Sequence, residues 1–203
     1  MTPLTTFYPY FMHHVMGCSE PLADRAIVDA AIEFCRRAEP VRRKVVVSIV
    51  AALTATIPDN LDEDVIAVPM VKLGTADLLP ANELGAFALD TGTIGTIATH
   101  YTHAAGVLTL HPPVATTGDL TVLASFAPKK DATQIDDLFM RDWNDTLIEG
   151  VLARLRSVPN QPFSDPAMAE VNRMRFSQGC TAASIQADRA QTTVPLRVSL
   201  SVI

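Results

Sequence analysis

No stretch of this sequence reaches about 18 uninterrupted apolar residues, so no segment has the length of a membrane-spanning helix. Cysteine is scarce. Cys18, Cys35 and Cys180 are an odd number without CxxC spacing, and the simplest reading is reduced, mostly buried thiols in a chain made in the cytosol. Basic residues are also few: 16 Lys and Arg against 22 Asp and Glu give a net charge of −6. That balance argues against a dedicated nucleic-acid binder, which needs clustered Lys and Arg, but leaves room for a surface over which DNA passes. No Lys or Arg precedes Val15-Met16-Gly17-Cys18, and His13-His14 interrupt the apolar core that a lipoprotein signal needs. There is no internal repeat and no long low-complexity segment. Gly92, Gly95 and Gly106 have the wrong spacing for a phosphate or dinucleotide loop, and there is no GxSxG elbow.

What is present is a globular composition. The chain has 203 residues, 48% of them hydrophobic and 19% charged, enough for one domain with an insertion and a sizeable core. Asp131 to Asp188 reads as two long helices around which the rest is organised. Ile135, Leu138, Phe139, Trp143, Leu147, Val151 and Leu155 form one stripe at steps of three and four residues. Gly150 interrupts the good helix formers and suits close approach by a neighbouring helix. Pro159, Pro162 and Pro166 punctuate the connector, and Asp165-Pro166 starts the second helix as N-cap and first residue. Met168, Val171, Met174, Cys180 and Ala183 then give its predicted apolar side.

Ahead of this hairpin, residues 1–18 form a sticky arm with Phe7, Tyr8, Tyr10 and Phe11, docked either on its own core or on a neighbouring subunit. Ser19-Glu20-Pro21 opens a helix ending near Ala38, with Ala23, Ile27, Ala30, Phe34 and Ala38 on its buried stripe. Between Val41 and Ala127 the texture turns to strands. Val45 to Val50, Val65 to Val68, Thr99 to Tyr101, Val107 to His111 and Leu120 to Phe126 are strand candidates, with turns at Asp59 to Asp64, Ala105-Gly106 and Thr117-Gly118-Asp119. Leu73 to Ala98 resists assignment. From Leu196 to Leu200 the tail alternates apolar and polar residues, as a strand does that completes its own sheet or adds to another chain's edge.

The expected fold class is therefore α+β. It is a long-helix bundle (one N-terminal helix plus a C-terminal helical hairpin) with an antiparallel β insertion and an extended C-terminal tail. The divisions are 1–18 for the arm, 19–40 and 128–190 for the helical part, 41–127 for the insertion and 191–203 for the tail.

No catalytic constellation emerges. His100 and His103, with His111 further on, are metal-ligand types, but an HxxH pair in a strand points to opposite faces and lacks the Glu of HExxH. Cys35 stands beside Arg36 and Arg37 but also beside Phe34, which favours an inert core thiol. Asp136, Asp137, Asp142, Asp145 and Glu149 make an acidic helix face. Asp142 and Asp145 have the spacing to share a cation, while a solvated face past which DNA slides is the plainer reading. No cofactor is expected, and the sequence argues for a protein that makes interfaces rather than an enzyme.

A series of short motifs carries a resemblance. Asp29-Ala30-Ala31-Ile32-Glu33-Phe34-Cys35 is followed by Leu108-Thr109-Leu110-His111-Pro112-Pro113 and Gly118-Asp119-Leu120-Thr121-Val122. Phe126-Ala127-Pro128, Leu147-Ile148-Glu149-Gly150 and Pro162-Phe163-Ser164-Asp165-Pro166-Ala167 complete the order. Across about residues 20 to 183 this resembles the head-to-tail adaptor, or connector, proteins of tailed phages and prophages. The chain departs from the pattern after Cys35, where Glu39-Pro40-Val41 stands in place of a tryptophan shortly after the arginines. The resemblance implies a virion neck protein assembled in the host cytoplasm, with no membrane partner. Copies would form a ring, usually dodecameric, that joins the portal to the next neck or tail component and surrounds the double-stranded DNA. It also implies portal contact by the tail, and the alternating apolar tail makes Pro195, Leu196, Val198, Leu200, Val202 and Ile203 the expected docking residues. The alternatives are another neck or tail protein, such as a stopper or tail-completion protein, and a metal-dependent hydrolase.

Overall fold

The computed structural model describes residues 1–49, 54–58, 62–82, 98–112 and 118–189. The arm begins with a two-residue strand, β1 (Thr2–Pro3), and a short helix, α1 (Tyr8–Phe11), flanked by two 3-10 turns. Phe7, Phe11 and Val15 are fully buried, so the arm is docked on its own chain. Each such side chain removed from water contributes roughly 1.5–3 kcal/mol. The Tyr8 hydroxyl donates to Asp24 Oδ1 at 2.8 Å, which ties the arm to the next helix.

That helix, α2 (Glu20–Ala38), starts where Ser19 is extended and its carbonyl accepts from the N–H groups of Leu22 and Ala23. The stripe of Ala23, Ile27, Ala30, Phe34 and Ala38 is buried as its spacing demands. The helix ends at Glu39, which adopts φ 44° and donates its N–H to the Cys35 carbonyl at 2.8 Å. A non-glycine residue in this region costs roughly 1–3 kcal/mol unless its surroundings hold it. Here Ser125 Oγ and Arg42 Nη2 both donate to the Glu39 carboxylate, at 3.2 and 3.3 Å.

Seven strands follow: β2 (Arg42–Ile49), β3 (Thr54–Thr56), β4 (Glu63–Leu73), β5 (Ala76–Pro80), β6 (His100–Ala104), β7 (Val107–His111) and β8 (Gly118–Pro128). They form one sheet in the order β2-β8-β4-β5-β6-β7-β3. All described neighbours are antiparallel except β5 and β6, which run parallel at Leu79↔His100 and Pro80↔Tyr101. Its outermost strands, β2 and β3, are consecutive in the chain and touch, so the sheet nearly closes into a barrel. Val47, Val71, Tyr101, Leu108, Leu110, Leu120 and Val122 are buried there. The β4 ladder has two register shifts, between Val65 and Ala67 and between Ala67 and Met70, and the second contains Pro69, which has no N–H to give a ladder.

After β8 comes β9 (Gln134–Ile135), antiparallel to β1, then α3 (Asp137–Asp142), α4 (Asn144–Arg156) and α5 (Pro166–Arg189). The helical hairpin of α4 and α5 packs on α2. Gly150 and Gly179 are what let it close. A methyl group placed on Gly150 would lie 2.7 Å from the Phe176 ring and 3.3 Å from Ala30 Cβ. On Gly179 it would lie 2.3 Å from Thr146. Around this contact Phe34 meets Phe139, Trp143 and Phe176 at ring separations of 5.5, 5.6 and 6.3 Å.

The expected long-helix bundle with a β insertion is corrected by this architecture. The dominant element is the nearly closed seven-stranded mixed sheet, with the helices packed against it. The reason is that β8 pairs along its length with both β2 and β4, neither of which is its neighbour in sequence. Local alternation marks strands but carries no information about such distant pairing. The first long helix is also two helices, broken at Trp143 with φ −130° and ψ 20°. Tilted packing of the indole against Phe34 accompanies the break. On α5 the predicted apolar side is only half right. Cys180 and Ala183 are buried, but Met168 and Met174 face outward, and Phe176 fills the core position.

Candidate functional site

The three barrel histidines do not converge. His100 and His111 are register partners across β6 and β7 and share a face, whereas His103, three residues along the strand, lies on the other. His111 is buried, with Nε2 3.2 Å from Thr102 Oγ1 and Nδ1 without a partner among the described residues. His103 Nε2 accepts the Gly106 N–H at 3.1 Å, which pins the turn at Ala105 and Gly106, both with positive φ. Desolvation lowers the His103 pKa below its ordinary value. Below the unfolded pKa of about 6.5 the unfolded chain therefore binds more protons, and stability falls as pH drops through that value. NMR titration should place His103 below the unfolded value, and His103→Gln should flatten the stability profile between about pH 5 and 7. A His103 titration at or above the unfolded value would contradict this.

Four of the five residues of the acidic helix face are used within the chain. Asp136 caps α3 by accepting the Leu138 N–H at 2.8 Å. Asp137 takes the terminal ammonium of Met1 at 2.9 Å and the Thr2 hydroxyl at 2.7 Å, and these bonds lower its pKa. Asp142 is paired with Arg141 at 2.9 Å. Glu149 accepts from Arg175 at 3.1 Å and from the buried Asn172 amide, whose oxygen in turn accepts from Arg156 at 2.8 Å. Among the described residues, no group of three or more His, Cys, Asp and Glu is placed to hold a metal ion.

Sequence reasoning missed an ionic clasp centred on Arg43. Its guanidinium reaches Glu63 in a bidentate pair at 2.5 and 2.9 Å, contacts Asp136, and lies 5.1 Å from the centre of the Phe126 ring. Glu63 is only 2% exposed, and its hydrogen bond to Arg43 is the main reason the Arg43 pKa is raised. The clasp joins β2, β4 and the start of α3. In the sequence Glu63 belongs to the turn at Asp59 to Asp64, and nothing local singles out Arg43 as its partner. A second cluster sets Phe176 between Arg37 and Arg154, at 6.0 and 5.6 Å, while both guanidinium groups reach Glu33.

The cysteines offer no nucleophile. All three are free and buried. Burial raises the Cys35 and Cys18 thiols and pushes Cys180 up to about 11.

What remains is surface. A cleft of about 560 Å³ opens between the arm, α2 and the turn before β9, lined among others by Leu4, Pro21, Asp24, Val28 and Asp131. On the other helices, α5 turns Met168, Met174 and Ile185 to solvent. The docking candidates Pro195, Leu196, Val198, Leu200, Val202 and Ile203 lie outside the described residues. The last described turn of α5 is fixed, since Arg42 donates to the Ala187 carbonyl at 3.4 Å and sits 3.7 Å from the Asp188 carboxylate. No protein-family model matches this chain, and no curated protein matches it.

Proposed function

We propose that the chain is a structural subunit of a tailed-phage neck: a head-to-tail adaptor whose copies form a ring below the portal. In this reading the ring joins the portal to the next neck or tail component and surrounds the DNA without reading its sequence. The observation that carries it is the ordered motif series, whose members fall where elements of one fold meet. Asp29 to Cys35 lies in α2 beneath the hairpin, and Leu147 to Gly150 lies in α4 at the point of closest approach. Pro162 to Ala167 turns the hairpin, while Leu108 to His111 and Gly118 to Val122 belong to β7 and β8. A net charge of −6 fits the same reading, because a chain without clustered Lys and Arg does not hold a polyanion fast. Portal contact is assigned to Pro195, Leu196, Val198, Leu200, Val202 and Ile203, which continue from a helix end anchored at Arg42.

The test is a mass determination of the purified protein, alone and mixed with the portal from the same genome. Joining the portal in equal copy number supports the adaptor. Assembly on tail proteins with no portal binding overturns it and moves the chain to a stopper or tail-completion position. Removal of residues 195–203 is expected to leave thermal unfolding unchanged and to abolish portal binding; full binding by the truncated chain removes the tail from the mechanism.

A further inference from the structure

Helix α5 has a buried inner side and an uncharged outer side. Its inner side, Ala169, Asn172, Phe176, Cys180 and Ala183, faces α2 and α4 and is buried. On the opposite side lie Ala167, Val171, Met174, Gln178, Thr181 and Ile185, at steps of four, three, four, three and four residues. No charge interrupts those six positions. Met174 is 53% exposed and Ile185 48%, and Met168 beside them is 39% exposed. This is the spacing of a helix seam that meets another helix; five of the six positions are exposed and Val171 is half-buried.

We propose that this outer seam of α5 packs against the same seam of a second copy of the chain, parallel and in register. The charges flanking the seam select that occupant. With Val171 and Gln178 at the first position of each heptad and Met174 and Thr181 at the fourth, Glu170 and Arg175 occupy opposite flanks. They stand five residues apart, so in a parallel pair Glu170 of each copy faces Arg175 of the other. An antiparallel pair would set like flank against like flank. The present partner of Glu170, Arg173, makes an exposed ion pair that holds it only weakly, while Arg175 reaches the partly buried Glu149 from an exposed position. Gln178, polar in the middle of the seam, sets the register by meeting its own counterpart. The pair is two-fold whereas a ring contact is head-to-tail, so the inference goes beyond the adaptor reading and does not depend on it.

Thr181 is the position that tests it, because in a parallel in-register pair it faces itself. Full-length Thr181→Cys, oxidised with diamide, is expected to run as a covalent dimer. Gln186→Cys, exposed but off the seam, is expected to remain monomeric, and the three native thiols are buried and do not contribute. Sedimentation should show a concentration-dependent dimer for the unmodified chain, and a monomer with unchanged thermal unfolding for Met174→Asp. A chain that is monomeric at every concentration overturns the proposal. So does a dimer in which Thr181→Cys does not cross-link or Met174→Asp does not dissociate. Neither result touches the portal-mixing experiment, which stands or falls separately.

Discussion

Gly150→Val is expected to cost about 3 kcal/mol of stability, the upper end of what overpacking a closed interior usually costs. Valine is a better helix former than glycine, so local propensity alone predicts a gain of a few tenths of a kcal/mol. Packing reverses the sign. The first added carbon already falls 2.7 Å from the Phe176 ring, and the ring has little freedom to retreat between Arg37, Arg154 and Phe34. Urea unfolding should show a midpoint lowered by about 1 M or more, given a slope of roughly 1–3 kcal/mol per molar. Adding Phe176→Leu should recover part of the loss by opening the space. A neutral or stabilised Gly150→Val would mean that α4 and α5 can separate without penalty.

Arg43→Met is the second large effect, also expected near 3 kcal/mol. Methionine keeps the length of the stem but leaves the buried Glu63 carboxylate without its bidentate partner. Breaking a buried pair from one side costs about 3–5 kcal/mol; the partial exposure of Arg43 puts this site at the lower end. Arg43→Lys should lose less but still measurably, since an ammonium cannot fork across both Glu63 oxygens and also reach Asp136. Glu63→Gln in the Arg43→Met background should return more than half of the loss. A coupling energy below about 0.5 kcal/mol in that cycle would show the two side chains to be independent.

Legibility in the sequence followed the range of the interactions. Helix α2 was readable from Ser19 to Ala38 because its start, its stripe and its acid-to-base order are all local. The same holds for the connector between α4 and α5 and for the β6–β7 hairpin around Ala105-Gly106. The barrel was not readable: β8 pairs with β2 and β4 although other strands lie between them in the chain, and periodicity does not say which strand is whose neighbour. On α5, Met168, Val171 and Met174 fit helical spacing as well as Phe176, Cys180 and Ala183 do, so spacing alone does not separate the two sides. Phe176 was the available signal, since the largest apolar residue of the segment goes to the core. The Arg43 clasp was invisible because an arginine and a glutamate twenty residues apart look like any two surface charges.

The ladders of β8 also give the molecule a direction of mechanical strength. Its register runs from Ile49↔Gly118 to Arg42↔Ser125 on one side and from Leu73↔Leu120 to Glu63↔Pro128 on the other. A load along this strand puts the hydrogen bonds of both ladders in shear at once, so none can fail alone. The three-residue contact of β3 with β7 has no such reserve, and a load there peels one bond at a time. Tension applied along β8 should therefore be carried through to the helices that adjoin its end, whereas tension applied at β3 would open the barrel first.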